Sequence, residues 1–181
     1  MAQNRKFSTL SEEIKYQNPW LTVKEIITEK DGKRGIYGVV YRSDSSTMIV
    51  ESSSQKILFL KQYRFPTNSY SWELPMGGID ETELPIVAAH RELKEETGID
   101  VPLSQIGMFH PVPGLTPQKV YVFYGKVSDT EMNKVDEVNE LVDEIVERKF
   151  LCYDEICEMI NSNLITDGFT LSSLSLFKWR K

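Results

Sequence analysis

The 181-residue sequence predicts an α+β (mixed α/β) fold, and three observations support that class. Segments rich in β-branched and aromatic residues are interleaved irregularly with segments in which apolar residues recur at helical spacing. The composition, with 40% hydrophobic and 27% charged residues, is typical of a globular chain. A chain of this length buries roughly 70% of the surface that its unfolded form exposes. It can therefore form one domain, or one domain with an appendage.

The predicted elements follow in order along the chain. Residues 20–29 and 35–42 have strand composition and flank the turn signal Asp31-Gly32, so together they predict an N-terminal β-hairpin. Further strands are predicted over residues 47–51, 56–63, 72–74, 119–127 and 146–151. Helical periodicity occurs over residues 84–97, 154–162 and 169–178. We expect residues 1–45 to form a β-rich extension and residues 46–181 to form the main domain.

The net charge argues against two classes of partner. The sequence has 21 Lys and Arg residues against 27 Asp and Glu residues, a formal charge of −6, and no tract dense in basic residues. It therefore offers no general electrostatic footprint for nucleic acid or for an anionic membrane surface. No apolar run approaches the roughly 20 residues that span a bilayer, and the N-terminus has no apolar signal core. We expect a cytoplasmic protein, with Cys152 and Cys157 as reduced packing thiols.

Three glutamates on the first predicted helix are the main candidates for chemistry. Glu92, Glu95 and Glu96 occupy positions i, i+3 and i+4, so they share one side of the helix. Basic residues are scarce on that side, and the three like charges repel one another. Oxygen-only clusters of this kind suit a hard cation such as Mg²⁺ or Mn²⁺. The alternative interpretation of these three residues alone is an acidic, solvated helix face.

The sequence around these glutamates resembles the Nudix box, G-x(5)-E-x(7)-R-E-U-x-E-E-x-G-U, where U is aliphatic. Nine specified positions fit without a gap: Gly77, Glu83, Arg91, Glu92, Leu93, Glu95, Glu96, Gly98 and Ile99. On this basis the chain is identified as a member of the Nudix hydrolase superfamily. The resemblance implies a loop–helix–loop packed on a mixed sheet sandwiched by helices. It also implies hydrolysis of a nucleoside diphosphate linked to another group.

The resemblance implies a metal site and its ligands. Glu92 and Glu96 would be the principal ligands of Mg²⁺, with Mn²⁺ as a possible substitute, and Glu95 would be a further ligand. The main-chain carbonyl of Met76, just before the box, would complete the set. The cation would neutralise and orient the diphosphate and lower the pKa of a bound water.

Four other residues of the box have structural roles in this interpretation. Gly77 allows the backbone to approach a ligand closely, and Gly98 can end the helix in the left-handed conformation. Arg91 can brace a glutamate four residues further along the helix. Glu83 is expected to orient the loop.

The flanks of the box resemble the ADP-ribose pyrophosphatase branch of the superfamily. Residues 62–64 (QYR) and 72–78 (WELPMGG) correspond to its QYR…ELPAGG segment, and Pro113 lies in a Pro-Gly turn where that branch carries a proline. This implies hydrolysis of ADP-ribose to AMP and ribose 5-phosphate, with Arg64 as a bidentate donor to the diphosphate. Gln118 departs from the acidic residue that many of these enzymes carry. GDP-mannose or another nucleoside diphosphate sugar therefore stays open as the substrate, and a non-catalytic ADP-ribose-binding module is the remote alternative.

The general base, the base-stacking aromatics and the oligomeric state are less sharply defined. The acidic stretch 136–147 occupies the place of a mobile catalytic loop in the family, and Glu144, then Glu140, are the preferred bases, with Glu95 as the alternative within the box. Candidates for stacking on the nucleobase are Trp20, Tyr37, Tyr70 and Trp72. The apolar N-terminal extension needs a surface to cover it, which in the resembling branch belongs to a second subunit. We therefore expect a homodimer.

Overall fold

The computed structural model describes residues 7–132, 135 and 145–179, whose strands form two sheets. The first sheet is antiparallel in chain order, with β1 (Ser8–Gln17), β2 (Thr22–Lys30) and β3 (Lys33–Tyr41). Asp31 and Gly32 have φ values of 53° and 72° between β2 and β3, as a tight hairpin turn requires. The predicted N-terminal hairpin is thus confirmed, and β1 adds a third strand whose residues are all exposed.

The second sheet has seven strands: β4 (Ser45–Ser52), β5 (Ile57–Arg64), β6 (Ser69–Glu73), β7 (Met76–Gly78), β8 (Leu103–Phe109), β9 (Val120–Val127) and β10 (Ile145–Leu151). Their order is β10-β5-β4-β9-β8, with β6 paired to β5 and β7 paired to β4. The β4–β9 pair is parallel and the other pairs are antiparallel. The sheet is therefore mixed, as predicted.

The described helices are α1 (Pro85–Thr97), α2 (Asp129–Met132), α3 (Tyr153–Asn161) and α4 (Gly168–Trp179), with a 3₁₀ turn at Phe65–Thr67. Alternate residues of the sheet face different helices, because successive side chains of a strand point to opposite sides. Met48, Val50 and Leu58 pack with α1, whereas Ile49, Ile57 and Phe59 pack with α3 and α4. Helices therefore cover both faces of the sheet, which confirms the predicted fold class. No described helix is long and apolar enough to span a membrane.

Strands β4 and β5 separate, and the gap between them positions residues next to α1. These two strands pair through Glu51 and Ile57 and then separate. The gap is filled by residues 69–78, because β6 pairs with β5 while β7 pairs with β4. The amide of Met48 donates to the carbonyl of Pro75 at 2.9 Å, which fixes the link between β6 and β7. Met76 and Gly77 are thereby held beside α1.

The chain forms two compact units, one containing residues up to Ser43 together with residues 110–118, and the other containing residues 44–109 and 119–181. In the first unit, the side-chain amide of Gln118 donates to the carbonyl of Ser43 at 2.8 Å, and the amide of Val40 donates to the carbonyl of Leu115 at 2.9 Å. The sequence-based boundary at residue 45 did not include the return of residues 110–118 to the N-terminal unit. Nothing in their composition indicated it.

Candidate active site

Helix α1 carries the acidic cluster, and its ends are defined by local sequence. Pro85 stands in the first turn, where its missing N–H is harmless. Gly98 adopts φ 72° and its amide donates to the carbonyl of Lys94 at 2.9 Å, so the helix ends as the sequence predicts. Ala89 and Leu93 are fully buried against the sheet. This orientation turns Glu92 and Glu96 toward residues 76–83, the loop that leads into the helix.

Glu96 is the most buried acid of the cluster. Only 7% of its surface is exposed, and its carboxylate accepts a hydrogen bond from the amide of Met76 at 3.1 Å. Burial, followed by the charge of Glu92, raises the pKa of Glu96 to about 8. The folded protein therefore holds a carboxylate whose charge is poorly compensated by the protein alone.

Glu92 lies directly over the backbone of Gly77. A Cβ at Gly77 would overlap the Glu92 carboxylate, so only glycine leaves that side chain in place. Arg91 Nη1 donates to Glu92 Oε1 at 2.7 Å. Burial nevertheless outweighs this contact and raises the pKa of Glu92. The sequence predicted that a ligand approaches the backbone of Gly77 closely. In this structure, the group next to Gly77 is the carboxylate of Glu92.

Arg91 ties the helix to the loop before it. Its Nε and Nη2 donate to the two carboxylate oxygens of Glu83 at 3.1 and 2.9 Å, and Nη2 also donates to the carbonyl of Gly78 at 3.1 Å. The contact to Glu95, the glutamate four residues on, is longer at 3.5 Å. The Arg91 hydrogen bonds lower the pKa of Glu83 and keep it ionised. Glu83 therefore orients the loop through Arg91.

The arrangement of oxygens suits a hard divalent cation. Within residues 7–132, 135 and 145–179, no three His, Cys, Asp or Glu side chains are grouped as a metal site. The side chain of Glu95 is 54% exposed. The half-buried carboxylate of Glu92 lies over the backbone of Gly77, and the buried carboxylate of Glu96 lies at the amide of Met76. Mg²⁺ commonly binds through one or two carboxylates and takes its other ligands from water and substrate phosphates.

Arg64 ends strand β5 and is fixed by an acid that sequence reasoning missed. Its Nε donates to both carboxylate oxygens of Glu73, at 3.0 and 3.2 Å, and Nη2 donates to one of them at 2.5 Å. Glu73 is 2% exposed, and its hydrogen bonds raise the pKa of Arg64. Arg64 is close enough to Glu96 for its charge to lower the pKa of that carboxyl. Glu73 lies within the WELPMGG segment, but its ion pair with Arg64 depends on the pairing of β5 with β6.

Arg148 is a second residue that sequence reasoning missed. Its Nε donates at 2.6 Å to the main-chain carbonyl of Glu96, in the last turn of α1. A cation at a helix C-terminus is electrostatically favourable. Burial lowers the pKa of Arg148, although the charge of Glu96 acts in the opposite direction. No sequence signal links these two residues, since 52 positions separate them.

The aromatic candidates on β6 are not brought to the carboxylates. Trp72 is 8% exposed and packs with Phe59 on the face of the sheet that α3 and α4 cover. Trp72 is therefore a core residue in this structure, and stacking of its indole on the nucleobase stays a prediction. Tyr70 lies two residues away on the same strand face, with Lys61 Nζ 5.8 Å from the ring centroids of both Tyr70 and Trp72.

Other predicted residues lie in the first unit or outside the described chain. Trp20 is 79% exposed, Tyr37 makes an edge contact with Phe7, and Pro113 lies in the 110–118 segment. Gln118, the departure from the branch pattern, is 2% exposed and supports Ser43. The two preferred bases, Glu140 and Glu144, fall outside the described residues.

Comparison with known proteins decides the family. The NUDIX domain profile matches residues 41–167. The chain belongs to the NUDIX family. It is similar to ADP-ribose pyrophosphatase of Bacillus subtilis (strain 168), with 27% identity over 153 residues, which covers 83% of this chain and 80% of that protein. The predicted membership of the NUDIX family is thus confirmed.

Two further relatives extend the comparison of this NUDIX protein. One is CMP-5'-(N-acetyl-N-hydroxy-3-aminopropyl)phosphonate hydrolase of Streptomyces rubellomurinus (strain ATCC 31215), with 24% identity over 168 residues, covering 91% of this chain and 79% of that protein. The other is the crystal structure of an ADP compounds hydrolase, which superposes with a TM-score of 0.76 and 18% identity over 96% of this chain and 93% of that one. The latter confirms the NUDIX fold.

Replacing Gly77 should separate cation binding from folding. In Gly77→Ala the new methyl group displaces the Glu92 carboxylate, a flexible side-chain end, so we expect the unfolding free energy to change by less than about 1 kcal/mol. Affinity for Mn²⁺, measured by calorimetric titration, should fall by about tenfold or more. Gly78→Ala is the matched control, because a Cβ there meets nothing within 4 Å. Equal Mn²⁺ affinity in the two variants would contradict the proposed position of Glu92.

Glu96 should make the metal-free protein less stable as the pH rises. The pKa of Glu96 in the folded protein is about 8, above the ordinary value of 4.5. Protonated Glu96 therefore favours the folded state. This contribution to stability is complete at low pH and is lost as the pH rises from about 4.5 to about 8. Urea unfolding in EDTA should show this decline in wild type and a smaller decline in Glu96→Gln, which has nothing to ionise. Identical pH slopes in the two proteins would refute the assignment.

Proposed function

We propose that this NUDIX protein is a pyrophosphohydrolase that hydrolyses ADP-ribose to AMP and ribose 5-phosphate with Mg²⁺, or with Mn²⁺ in its place. The observation that carries the proposal is the pair of neighbouring carboxylates, the half-buried Glu92 over the backbone of Gly77 and the buried Glu96 at the amide of Met76. The similarity to the Bacillus subtilis ADP-ribose pyrophosphatase supports the choice of substrate. Water cleaves the P–O–P linkage of the diphosphate. The water oxygen bonds to one phosphorus and the bridging oxygen leaves with the other, so each product carries one phosphate.

Glu92, Glu96 and the carbonyl of Met76 would hold the cation, with Glu95 available at the exposed edge of the cluster. When bound, the cation neutralises phosphate charge and makes a bound water more acidic. The protein's own contribution is to hold the two carboxylates at fixed positions. Arg91 and Gly77 fix Glu92, while burial and the amide of Met76 fix Glu96.

Arg64 would bind the diphosphate. Its Nε and Nη2 are occupied by Glu73, and its Nη1 makes no hydrogen bond to the described part of the chain. A guanidinium held in this way loses less conformational freedom when it binds a phosphate oxygen. Its side chain is 38% exposed, so substrate can reach it.

The general base would come from the acidic stretch before β10, with Glu144 preferred over Glu140. Glu92 and Glu96 are committed to the cation in this proposal, so the base must lie elsewhere. Glu95 is the alternative, because its exposed carboxylate has one long contact, to Arg91, among the hydrogen bonds of the described residues.

Another nucleoside diphosphate sugar, such as GDP-mannose, is the second candidate substrate. The observation that favours it is Gln118, which supports the backbone of Ser43 instead of supplying a carboxylate. The Streptomyces relative is named for hydrolysis of a CMP-linked phosphonate, so similar sequences act on nucleotides with different leaving groups. A cytoplasmic location is part of the same proposal.

A substrate panel tests the proposed activity. ADP-ribose should be the best substrate among ADP-ribose, ADP-glucose, GDP-mannose, NADH and dGTP, as judged by kcat/KM in a phosphatase-coupled assay with Mg²⁺. A preference of about tenfold for GDP-mannose, equivalent to about 1.4 kcal/mol of transition-state binding, would assign the protein to the second class. Binding of ADP-ribose without turnover would identify a non-catalytic binding module.

Substitution of the preferred base should change kcat alone. A carboxylate that accepts a proton from water only in the closed state acts in the transition state, so Glu144→Gln should lower kcat while KM and Mg²⁺ affinity stay nearly constant. Glu140→Gln should be the next most affected, and Asp136→Asn should resemble wild type. If Glu144→Gln is neutral and Glu95→Gln shows this pattern, the base lies on α1.

The N-terminal unit should form a homodimer. Its large apolar side chains are unusually exposed for a monomer: Leu10, Ile14, Tyr16, Trp20 and Ile36. Multi-angle light scattering at micromolar concentration should give twice the chain mass of 20.9 kDa. Substituting Ile14 and Ile36 by serine should convert the protein to monomers. An active wild-type monomer would contradict the proposal.

A further inference from the structure

Two buried polar side chains near the carboxylates have no explained partner. Gln62 on β5 and Ser71 on β6 are cross-strand neighbours and are 5% and 7% exposed. The Gln62 Nε2 and Ser71 Oγ atoms are inaccessible to solvent and make no hydrogen bond within the described residues. Such atoms are uncommon in folded proteins, because an unpaired buried donor destabilises the fold.

Strand alternation places this pair on the α1 face of the sheet. Leu58 of β5 packs against Ala89 and Leu93 of α1. Since side chains alternate along a strand, Gln62 shares that face. Ser71, directly opposite Gln62, shares it as well. The pair therefore lies on the same side of the sheet as the acidic cluster, and away from the core in which Trp72 is buried.

The neighbours of the pair belong to the proposed active site. Along β5 and β6, the pair is flanked on one side by Leu60 and Glu73, and on the other side by Arg64 and Ser69. Arg64 and Glu73 form the ion pair described above. Gln62 and Ser71 thus lie between Arg64 on β5 and its ion-pair partner Glu73 on β6.

A third unused donor comes from the adjacent strand. Arg148 of β10 pairs with Leu60 of β5, so it projects from the same face. Its Nε donates to the carbonyl of Glu96, whereas its buried Nη2 has no partner within the described residues. Unused donors therefore occur on three neighbouring strands, β10, β5 and β6, at the α1 face.

We propose that Gln62 and Ser71 form a subsite that donates hydrogen bonds to a phosphate oxygen of the substrate, once substrate binding displaces the side chains that cover the two donors in the ligand-free protein. An amide N–H and a hydroxyl require an acceptor, and the nearby arginines favour an anionic one. This inference rests on the proposed function and adds to it two substrate-binding residues that lie outside the motif of the box. A trapped water could also satisfy these donors, but it would do so in the ligand-free protein.

The test compares binding and stability in three variants. Gln62→Met and Ser71→Ala remove the donors with little change of volume. Ser173→Ala is the matched control, because Ser173 Oγ is also buried and makes no hydrogen bond to the described part of the chain, but lies on α4, away from the α1 face. Binding of the non-hydrolysable α,β-methylene analogue of ADP-ribose, with Mg²⁺, is measured by calorimetry, and the Tm of each ligand-free protein is recorded.

The subsite predicts weaker binding without loss of stability. The dissociation constant should rise by about tenfold or more in Gln62→Met and in Ser71→Ala, as for a hydrogen bond to a charged group, and should be unchanged in Ser173→Ala. The Tm of the ligand-free variants should equal or exceed that of wild type, since an unpaired polar atom has been removed. An unchanged dissociation constant in both test variants would overturn the proposal. A lower Tm together with unchanged binding would identify a structural water and would overturn it too.

A second probe separates this inference from the substrate assignment. Methylenediphosphonate carries the two phosphate groups without nucleoside or sugar. If wild type binds it but ignores the ADP-ribose analogue, the substrate assignment is wrong, and the same variants then test the subsite with methylenediphosphonate. If wild type binds neither probe, both the subsite and the proposed function are overturned.

Discussion

The burial of the Glu96 carboxylate beside the half-buried carboxylate of Glu92 is the constraint on which the rest of the site depends. Both groups have raised pKa values because burial removes them from water, and each is disfavoured further by a neighbouring carboxylate. Arg91 contacts Glu92 but is also engaged by Glu83, so it does not neutralise the pair. Two such groups held together support the proposed cation site, because a bound cation would compensate their charge.

The fold produces this arrangement by separating two strands. Because β4 and β5 diverge after one residue pair, the segment from β6 to β7 enters the gap and lies under α1. The backbone of Met76 and Gly77 then meets the carboxylates directly, while Arg64 and Glu73 are carried on the neighbouring strands. Groups from helix α1 and from strands β5, β6 and β7 are therefore brought together by one irregularity of the sheet.

Much of this could be predicted from sequence, and the failures have physical causes. Helix α1 and the cores of most strands follow from local periodicity. Strand β1 was missed because its few apolar residues are separated by polar and charged ones, and in this structure main-chain pairing with β2, not burial, holds it. The burial of Trp72 was not indicated, because an aromatic residue has the same sequence signature in a core as in a binding site. Glu73 and Arg148 were missed because their partners are brought close only by the folded sheet.

Anomalous diffraction from crystals soaked in MnCl₂ tests the cation assignment most directly. The site described above requires a peak in the anomalous difference map between the carboxylates of Glu92 and Glu96 and the carbonyl of Met76, with Mn–O distances of about 2.0 to 2.3 Å. The same crystals of Glu96→Gln should lose that peak. Manganese bound elsewhere, with Glu92 and Glu96 left without it at saturating MnCl₂, would contradict the assignment.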